Sequence, residues 1–371
     1  MQGKFYLNKL EHYKNLKALL SVVKTSPLIQ ELGCIHVESG EKLKFTGTDL
    51  ESVVVLSFVP DSLQEYSVLV PGSAVKSVLS SQLDDPIEFD ILAKDKLCIT
   101  QGNFKLKTIL GNPDMFPKVP YFEGSKFTVD GSKIGAAIKD ALQFVSKDDL
   151  RPAMTGVFIQ DLNGHLTVVS TDAHRLYYKK VCPTPSGAEG IAAIMPMSSA
   201  KLFLQVFFGG TLKVKFDKMH ISFTQVTAEP LESKKLLCRQ IQATYPSWTS
   251  VINSYDLDIY FKRKQLTQLL KLGLKHVSRA TYQVKVEVDG GSAKISAEDV
   301  DFSESFSFSV GVYNPNLEFP SFTFAVNAKF LLEALSVNSK EEYVKLNHST
   351  TELKSMNIDD CILLMPLMLN K

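Results

Sequence analysis

The sequence predicts an α+β protein made of three consecutive copies of one plan, each with two helices packed on antiparallel strands. Three observations carry this. A corner recurs in each third: Leu43-Lys44-Phe45-Thr46-Gly47-Thr48-Asp49-Leu50, then Ser170-Thr171-Asp172-Ala173-His174-Arg175-Leu176, then Ala293-Lys294-Ile295-Ser296-Ala297-Glu298-Asp299. Each is a strand, a small-polar-acidic turn and another strand. Each third also opens on a short alternating strand followed by an amphipathic stretch, and each closes on a second, shorter helix and more strands. Equivalent positions recur at roughly 122 to 132 residues, a domain-sized period.

The opening strands are Lys4-Phe5-Tyr6-Leu7, Lys126-Phe127-Thr128-Val129 and Asp258-Ile259-Tyr260-Phe261. Helical spacing follows over 10–24, 133–147 and 264–280. Leu10, Tyr13, Leu16, Leu20 and Val23 share one face, as do Ile134, Ala137, Ile138, Ala141 and Val145, and Leu266, Leu269, Leu270, Gly273 and Val277. Shorter helices are expected over 73–81, 198–206 and 328–335, each after a strand. Closing strand pairs are expected at 87–92 with 96–110, 212–216 with 220–225, and 343–346 with 361–369. Gly209-Gly210 and Gly290-Gly291 read as hairpin turns. Gly124-Ser125 and Ser254-Tyr255-Asp256 are the expected joints, dividing the chain into residues 1–123, 124–254 and 255–371.

With 371 residues, 44% hydrophobic and 22% charged, the composition is that of a globular protein with room for several cores. Cys34, Cys98, Cys182, Cys238 and Cys361 are scattered and odd in number, which predicts free thiols in a reducing cytoplasm, with no metal motif. The histidines show no ligand spacing, and no Gly-rich phosphate loop is present, so no cofactor is expected. The most apolar run, Cys361 to Leu369, is far short of the ~20 residues of a membrane helix, and Pro366 interrupts it.

A formal net charge of +1 does not by itself suggest a polyanionic partner. The distribution does. Lys14, Lys17, Ser21 and Lys24 form a stripe on the first helix. Lys139, Gln143, Ser146 and Lys147 form one on the second, and Lys264, Gln268, Lys271, Lys275 and Ser278 or Arg279 one on the third. The shorter helices add Lys76, Lys201 and Lys329. Lysine on one helix face is ordinarily a solvated face. The same bias on three equivalent helices predicts a surface for a polyanion, and no base-reading motif accompanies it.

Asp172, His174 and Arg175 are the one constellation that could be catalytic, for a hydrolase with Ser170 or Thr171 beside it. A turn aspartate and a packing histidine are the plainer reading, because no third group of a triad is identifiable.

The combination of Thr46-Gly47-Thr48-Asp49-Leu50, Arg151 with Thr155-Gly156-Val157, Ser170 to Leu176, Tyr245-Pro246-Ser247-Trp248 with Val251-Ile252, and Met365-Pro366-Leu367 resembles the bacterial sliding clamps, the beta subunits of DNA polymerase III, over essentially the full chain. The resemblance implies three clamp-type domains per chain, a head-to-tail homodimeric ring around duplex DNA, and no enzymatic activity. It implies tethering of the replicative polymerase, loading by an ATP-driven clamp loader, and a pocket for client peptides rich in Gln and Leu/Phe. By position that pocket would include Met154, Thr171, Ala173, His174, Arg175, Leu176, Pro246, Val251, Leu363, Met365, Pro366, Leu367 and Met368, with His174 and Arg175 as its polar rim. DNA-facing residues would be Lys24, Lys76, Lys147, Arg151, Lys201, Lys275 and Arg279. Dimer contacts would include Phe104 and Val277. Ala173 stands where the family usually has Gly, Leu367-Met368 where Met-Arg is common, and Pro152-Ala153 where some relatives place aromatic residues on DNA.

Overall fold

A computed structural model describes all residues except 1–2, 27, 61–63, 94, 228–231, 253–254, 256, 300–301, 315–320, 349–354 and 369–371. The second expected joint and Leu369 therefore fall largely outside the described residues.

The first third runs β1 (Gly3–Leu7), α1 (Lys9–Val22), β2 (Cys34–Ser39), β3 (Leu43–Thr48), β4 (Ser52–Phe58), β5 (Tyr66–Pro71), α2 (Gly72–Leu79), β6 (Ile87–Ala93), β7 (Lys96–Gln101) and β8 (Phe104–Ile109). The second repeats the order: β9 (Ser125–Asp130), α3 (Gly131–Ala141), β10 (Gly156–Leu162), β11 (His165–Thr171), β12 (Arg175–Pro183), β13 (Ala192–Pro196), α4 (Met197–Val206), β14 (Thr211–Phe216), β15 (His220–Val226) and β16 (Ser233–Arg239). The last third does so again: β17 (Leu257–Lys262), α5 (Arg263–Gly273), β18 (Gln283–Asp289), β19 (Ser292–Asp299), β20 (Glu304–Tyr313), β21 (Phe322–Asn327), α6 (Ala328–Ser336), β22 (Tyr343–His348), β23 (Met356–Ile358) and β24 (Ile362–Leu364). The element order repeats three times without a gap. The closing strands number three per copy rather than the expected pair. Residues 96–110 are a hairpin, turned at Gly102 with φ +54°.

Local chemistry explains two of the helix starts. Asp130 accepts the amides of Ser132 and Lys133 at 2.8 and 3.1 Å and caps α3, and those donors hold its carboxyl below the ordinary range. Asn327 caps α6 in the same way. Two helices end earlier than their periodicity predicts. α3 stops at Ala141 because Phe144, Val145 and Ser146 turn into the interior, where the Ser146 amide reaches Met154 O at 2.9 Å. α5 stops at Gly273, whose missing Cβ would lie 2.6 Å from the Phe306 ring. The buried face of α1 is Leu16, Leu19 and Val22, while Tyr13 faces out. Gly209-Gly210 joins α4 to β14 instead of forming a hairpin, whereas Gly290-Gly291 does turn β18 into β19.

The chain forms two compact units. One comprises residues 1–142, 156–168 and 180–243; the other comprises 143–155, 169–179 and 244–371. The first holds a sheet ordered β1-β6-β7-β8 and another ordered β5-β2-β3-β4-β16-β15-β14-β9. An aromatic cluster fills its beginning, with Phe5 stacked on Phe89 at 4.5 Å and edge-on to Phe45 at 5.7 Å. In the second unit, β24-β23-β22-β17-β20-β19-β18-β21 run in order, and the start of β12 pairs with β24.

One pairing rule repeats. The fourth strand of the first third, β4, pairs with the eighth strand of the second, β16, from Ser52↔Cys238 to Ser57↔Ser233. The fourth strand of the second third, β12, pairs with the eighth of the last, β24, from Arg175↔Leu364 to Tyr177↔Ile362. Backbone amides at a buried edge require such partners.

The most fully engaged side chain in the second unit is Arg263, at the first turn of α5. Its guanidinium donates to Glu341 O, Leu335 O, Val337 O and Tyr343 O at 3.0 to 3.1 Å, and to the Asp359 carboxylate. Two of those carbonyls lie at the end of α6, where helix geometry leaves acceptors free. A planar five-donor group satisfies all of them at once, which lysine cannot do. Removing it as Arg263→Met takes the cation from the largely buried Asp359 carboxylate, which keeps the Lys345 amide at 3.0 Å, and leaves four carbonyls without their donor, so the expected loss is about 3–5 kcal/mol. Thermal denaturation of the two proteins checks this. A loss below about 1 kcal/mol would mean that packing alone holds α5 to α6.

Candidate functional site

The corner after β11 is built by hydrogen bonds that the sequence encodes directly. Asp172 Oδ1 accepts the amides of His174 and Arg175 at 3.0 and 2.9 Å. Thr171 Oγ1 accepts the Ala173 amide at 3.1 Å and donates to Arg175 O at 2.6 Å. The first copy repeats this bond for bond. Asp49 Oδ1 accepts Glu51 and Ser52 amides, and Thr48 Oγ1 accepts the Leu50 amide and donates to Ser52 O. Both corners need a left-handed residue at the same place, Leu50 at φ +75° and Ala173 at φ +74°. In the third copy Ser303 has φ +54°, but Val300 and Asp301 lie outside the described residues.

Arg175 locks the second corner. Its side chain is 8% exposed, with Nε and Nη2 on Asp172 Oδ2 at 3.0 and 2.8 Å and Nη2 on Gln143 O at 3.1 Å. Nη1 pairs with Glu333. The planar group lies 5.1 Å from the Phe144 ring and 4.4 Å from Phe330. Arg175 is therefore part of the wall and not of a polar rim, a correction to the sequence-based expectation. Asp172 is committed to backbone amides and to this guanidinium. Its hydrogen bonds do not include the His174 imidazole, which instead stacks at 6.2 Å on Phe330. The hydrolase reading gains nothing from this geometry.

Beside the corner is a pocket of about 210 Å³ whose lining is almost wholly apolar. Met154, Thr171, Ala173, His174, Arg175, Leu176, Pro246, Val251, Leu363 and Met365 line it, all expected from the sequence. Ser247 and Trp248 also line it; their signal was their place in the Tyr245 to Trp248 run. Trp248 is buried and tilts against Tyr178 at 5.5 Å. Burial raises the pKa of the neighbouring Tyr245 phenol, which keeps it neutral. The far wall is the C-terminal strand. Leu176 pairs with Leu363, and the Met365 amide donates to His174 O at 3.0 Å. Pro366, Leu367 and Met368 do not line the pocket. The Leu367 amide binds Ala325 O on β21 at 2.8 Å, and Met368 O accepts from the Gln283 side chain at 3.2 Å. The chain has by then crossed to β21 and β18.

The expected DNA-facing residues Lys24, Lys76, Lys147, Arg151, Lys201, Lys275 and Arg279 are all exposed. Lys76 joins Lys17, Tyr13, Ser21, Ser73 and Ser80 around a groove of about 430 Å³ between α1 and α2. Those helices approach closely at Gly72, where a Cβ would meet Val23 at 2.7 Å and Gly33 O at 2.9 Å. Lys24 lies 3.8 Å from Asp49, and Arg151 3.7 Å from Asp148. Phe104 is exposed on edge strand β8. Val277 is 2% exposed and buried in its own fold, so the exposed apolar side chain near that end of α5 is Leu272, at 68%.

The left-handed Ala173 generates a testable consequence. A non-glycine residue in that region costs roughly 1–2 kcal/mol. Glycine removes the strain but adds unfolded-state entropy worth about 0.4–1 kcal/mol. Ala173→Gly is therefore expected to be neutral or stabilising by up to about 1 kcal/mol, where an ordinary Ala→Gly change costs stability. Calorimetry measures it, and a clear drop in melting temperature would show that Ala173 is unstrained.

The chain matches no protein-family model. The beta sliding clamp of Chlamydia trachomatis is 24% identical over 361 residues, covering 93% of this chain and 82% of that protein. A sliding clamp (DNA polymerase III subunit beta) from Pseudomonas aeruginosa, solved bound to griselimycin, superposes with a TM-score of 0.88 at 21% identity over 99% of both chains. The Helicobacter pylori beta clamp bound to a DNA ligase peptide gives 0.85 at 21% identity, covering 99% of this chain and 100% of that one. Along most of its sequence the chain is similar to the bacterial beta sliding clamps, and along essentially all of its length it shares their fold.

Proposed function

We propose that the protein is a DNA sliding clamp: a ring of two chains that encircles duplex DNA, slides without reading sequence, and tethers a polymerase and other clients. It carries no chemistry of its own. The observation that supports this best is the pairing rule of the fold. The fourth strand of each third is covered by the eighth strand of the next, which leaves the fourth strand of the last third, β20, and the eighth of the first, β8. β8 is the edge of its sheet. From Glu304 to Val310, β20 pairs with β19, and its bonding to β17 is confined to Val312 and Tyr313. Two chains head to tail would satisfy both edges twice and close a ring of six clamp domains, residues 1–123, 124–254 and 255–371 of each chain. Lys105 and Lys107 on β8 would face Glu304 on β20, with Phe104, Ile109 and Leu272 supplying apolar contact.

Exposed lysines on the helices suit a polyanion held loosely, because contacts to phosphate alone carry no sequence information. Holding would be topological. Loaded protein should remain on nicked circular duplex DNA and leave when the circle is linearised. Light scattering should give twice the 41.2 kDa chain mass. Lys105→Glu with Lys107→Glu should yield monomers and abolish retention. Equal retention on circular and linear DNA would show that ordinary affinity, not a ring, holds the protein.

The pocket beside Leu176 is where we place client peptides. The Helicobacter pylori clamp bound to a DNA ligase peptide is a precedent for such a ligand. Burying two or three Leu or Phe side chains at ~1.5–3 kcal/mol each, less ordering costs, predicts micromolar affinity. Met365 suits such a wall because its side chain re-packs around different ligands. Met365→Lys is expected to weaken a Gln-Leu-x-Leu-Phe peptide at least about tenfold while the dimer mass is unchanged. Calorimetric titration reads the affinity. Unaltered binding would place the peptide elsewhere. The free thiols Cys34, Cys98, Cys182, Cys238 and Cys361 are consistent with work in a reducing cytoplasm.

A further inference from the structure

An aromatic and basic cluster in the first unit lies outside the client pocket. Phe208 follows α4 directly, and its side chain is 59% exposed. Lys14 Nζ, from α1, lies 5.6 Å from its ring centroid, and Lys234 Nζ, from β16, lies 5.4 Å from it. Three separate elements thus converge on one solvent-facing ring. The loop that presents it is shaped by Gly209 at φ +126° and Gly210 at φ +77°, conformations other residues rarely take. One position before Lys14, Tyr13 is 37% exposed, and the Lys17 ammonium lies 5.8 Å from its ring. The result is two exposed rings interleaved with three lysines.

Cation–π contact alone accounts for the position of the lysines. It does not account for a phenylalanine left mostly in water. Lys234 is also half withdrawn from solvent, which lowers its pKa, with Glu232 acting in the opposite direction. A nearby anion would favour the charged amine. An open ring face beside two ammonium groups matches the two halves of an unpaired nucleotide, a base with a free π-face and a phosphate. Duplex DNA offers the phosphates but keeps its base faces stacked on each other.

We propose that Phe208, Lys14 and Lys234 form a contact for single-stranded nucleic acid, with a base stacked on Phe208 and the adjoining phosphates held by Lys14 and Lys234. This rests on the sliding-clamp reading and extends it: the chain would hold the unpaired strand that adjoins the duplex at a junction. Stacking tolerates any base, so the contact would be independent of sequence.

The test uses the full chain and fluorescence anisotropy at low salt. The probes are a labelled oligothymidine of about twenty nucleotides, longer than the ~4–16 nucleotides that a compact single-strand site spans, and a blunt duplex of the same length. Phe208→Ala should lower the ratio of single-strand to duplex affinity about tenfold, the effect of losing one stacked base. Phe208→Trp should restore the ratio, and its fluorescence should be quenched by the oligothymidine. Lys14→Gln with Lys234→Gln should reduce the salt slope for the oligothymidine by about 1.4, two phosphates' worth. An unchanged ratio in Phe208→Ala would overturn the proposal. So would a loss confined to the lysine variant, which would describe a general electrostatic surface or one for an acidic peptide. Retention of the unaltered protein on circular duplex DNA decides the clamp reading separately.

Discussion

The open edge of the fourth strand is the constraint on which the rest of the architecture depends. A strand edge carries a row of amide and carbonyl groups that must find partners or face water. No third of this chain satisfies that edge alone. β4 obtains six residue pairs from β16, and β12 obtains three from β24. Repetition is thus converted into connectivity, because each copy carries one edge that needs covering and one strand that covers. It also has a direction. A copy is covered by its successor, which leaves two unlike strands without such a partner, β8 in the first unit and β20 in the second. Unlike ends favour head-to-tail contact over the meeting of two identical patches.

Within the second unit, two buried guanidinium groups hold one helix. Arg175 reaches Glu333 in the middle of α6 and lies against Phe330. Arg263 takes the carbonyls of Leu335 and Val337 where the helix ends. Burying a charge is costly unless its partners are complete. Here all five N–H groups of Arg263 and four of the five on Arg175 have acceptors, so the cost purchases the placement of α6. The left-handed Ala173 is tolerated for the same reason. Its strain is outweighed by the paired bonds of Thr171 and Asp172 and by the lock of Arg175 on the corner they form.

Much of this is legible in the sequence, and what is not has a physical explanation. The Thr-Asp corners announce themselves because their hydrogen bonds join residues two to four apart. The caps at Asp130 and Asn327 are equally local. The three copies of the plan are legible because amphipathic spacing and turn residues recur together. What could not be read is what depends on distant partners. α5 ends at Gly273 because Phe306 lies against it, and α3 ends at Ala141 because Phe144 is wanted beneath Arg175. Arg263 looks like one more charge at a basic helix start; nothing nearby in sequence reveals five acceptors drawn from residues 335 to 359. Ten of the residues assigned by position line one cavity, whereas Pro366 to Met368 do not, the Leu367 amide being bonded to the Ala325 carbonyl.

That last contact gives the chain end its physical role. From Ile362 to Leu364 the segment is a strand on β12; at Met365 it still bonds to His174; by Leu367 it is bonded to β21. One short, apolar stretch therefore walls the pocket and ties the corner to the sheet beyond α6. Detaching it would expose Leu363, Leu364 and Ile362 to water, at roughly 1.5–3 kcal/mol for each large apolar side chain. It would also remove one side of the pocket. Any ligand that needs that wall binds only the docked form and stabilises it by mass action. Occupancy and docking of the chain end are then two descriptions of a single equilibrium. The wall can be flexible enough in Met365 to accept varied ligands while the strand behind it, held by β12, stays in register.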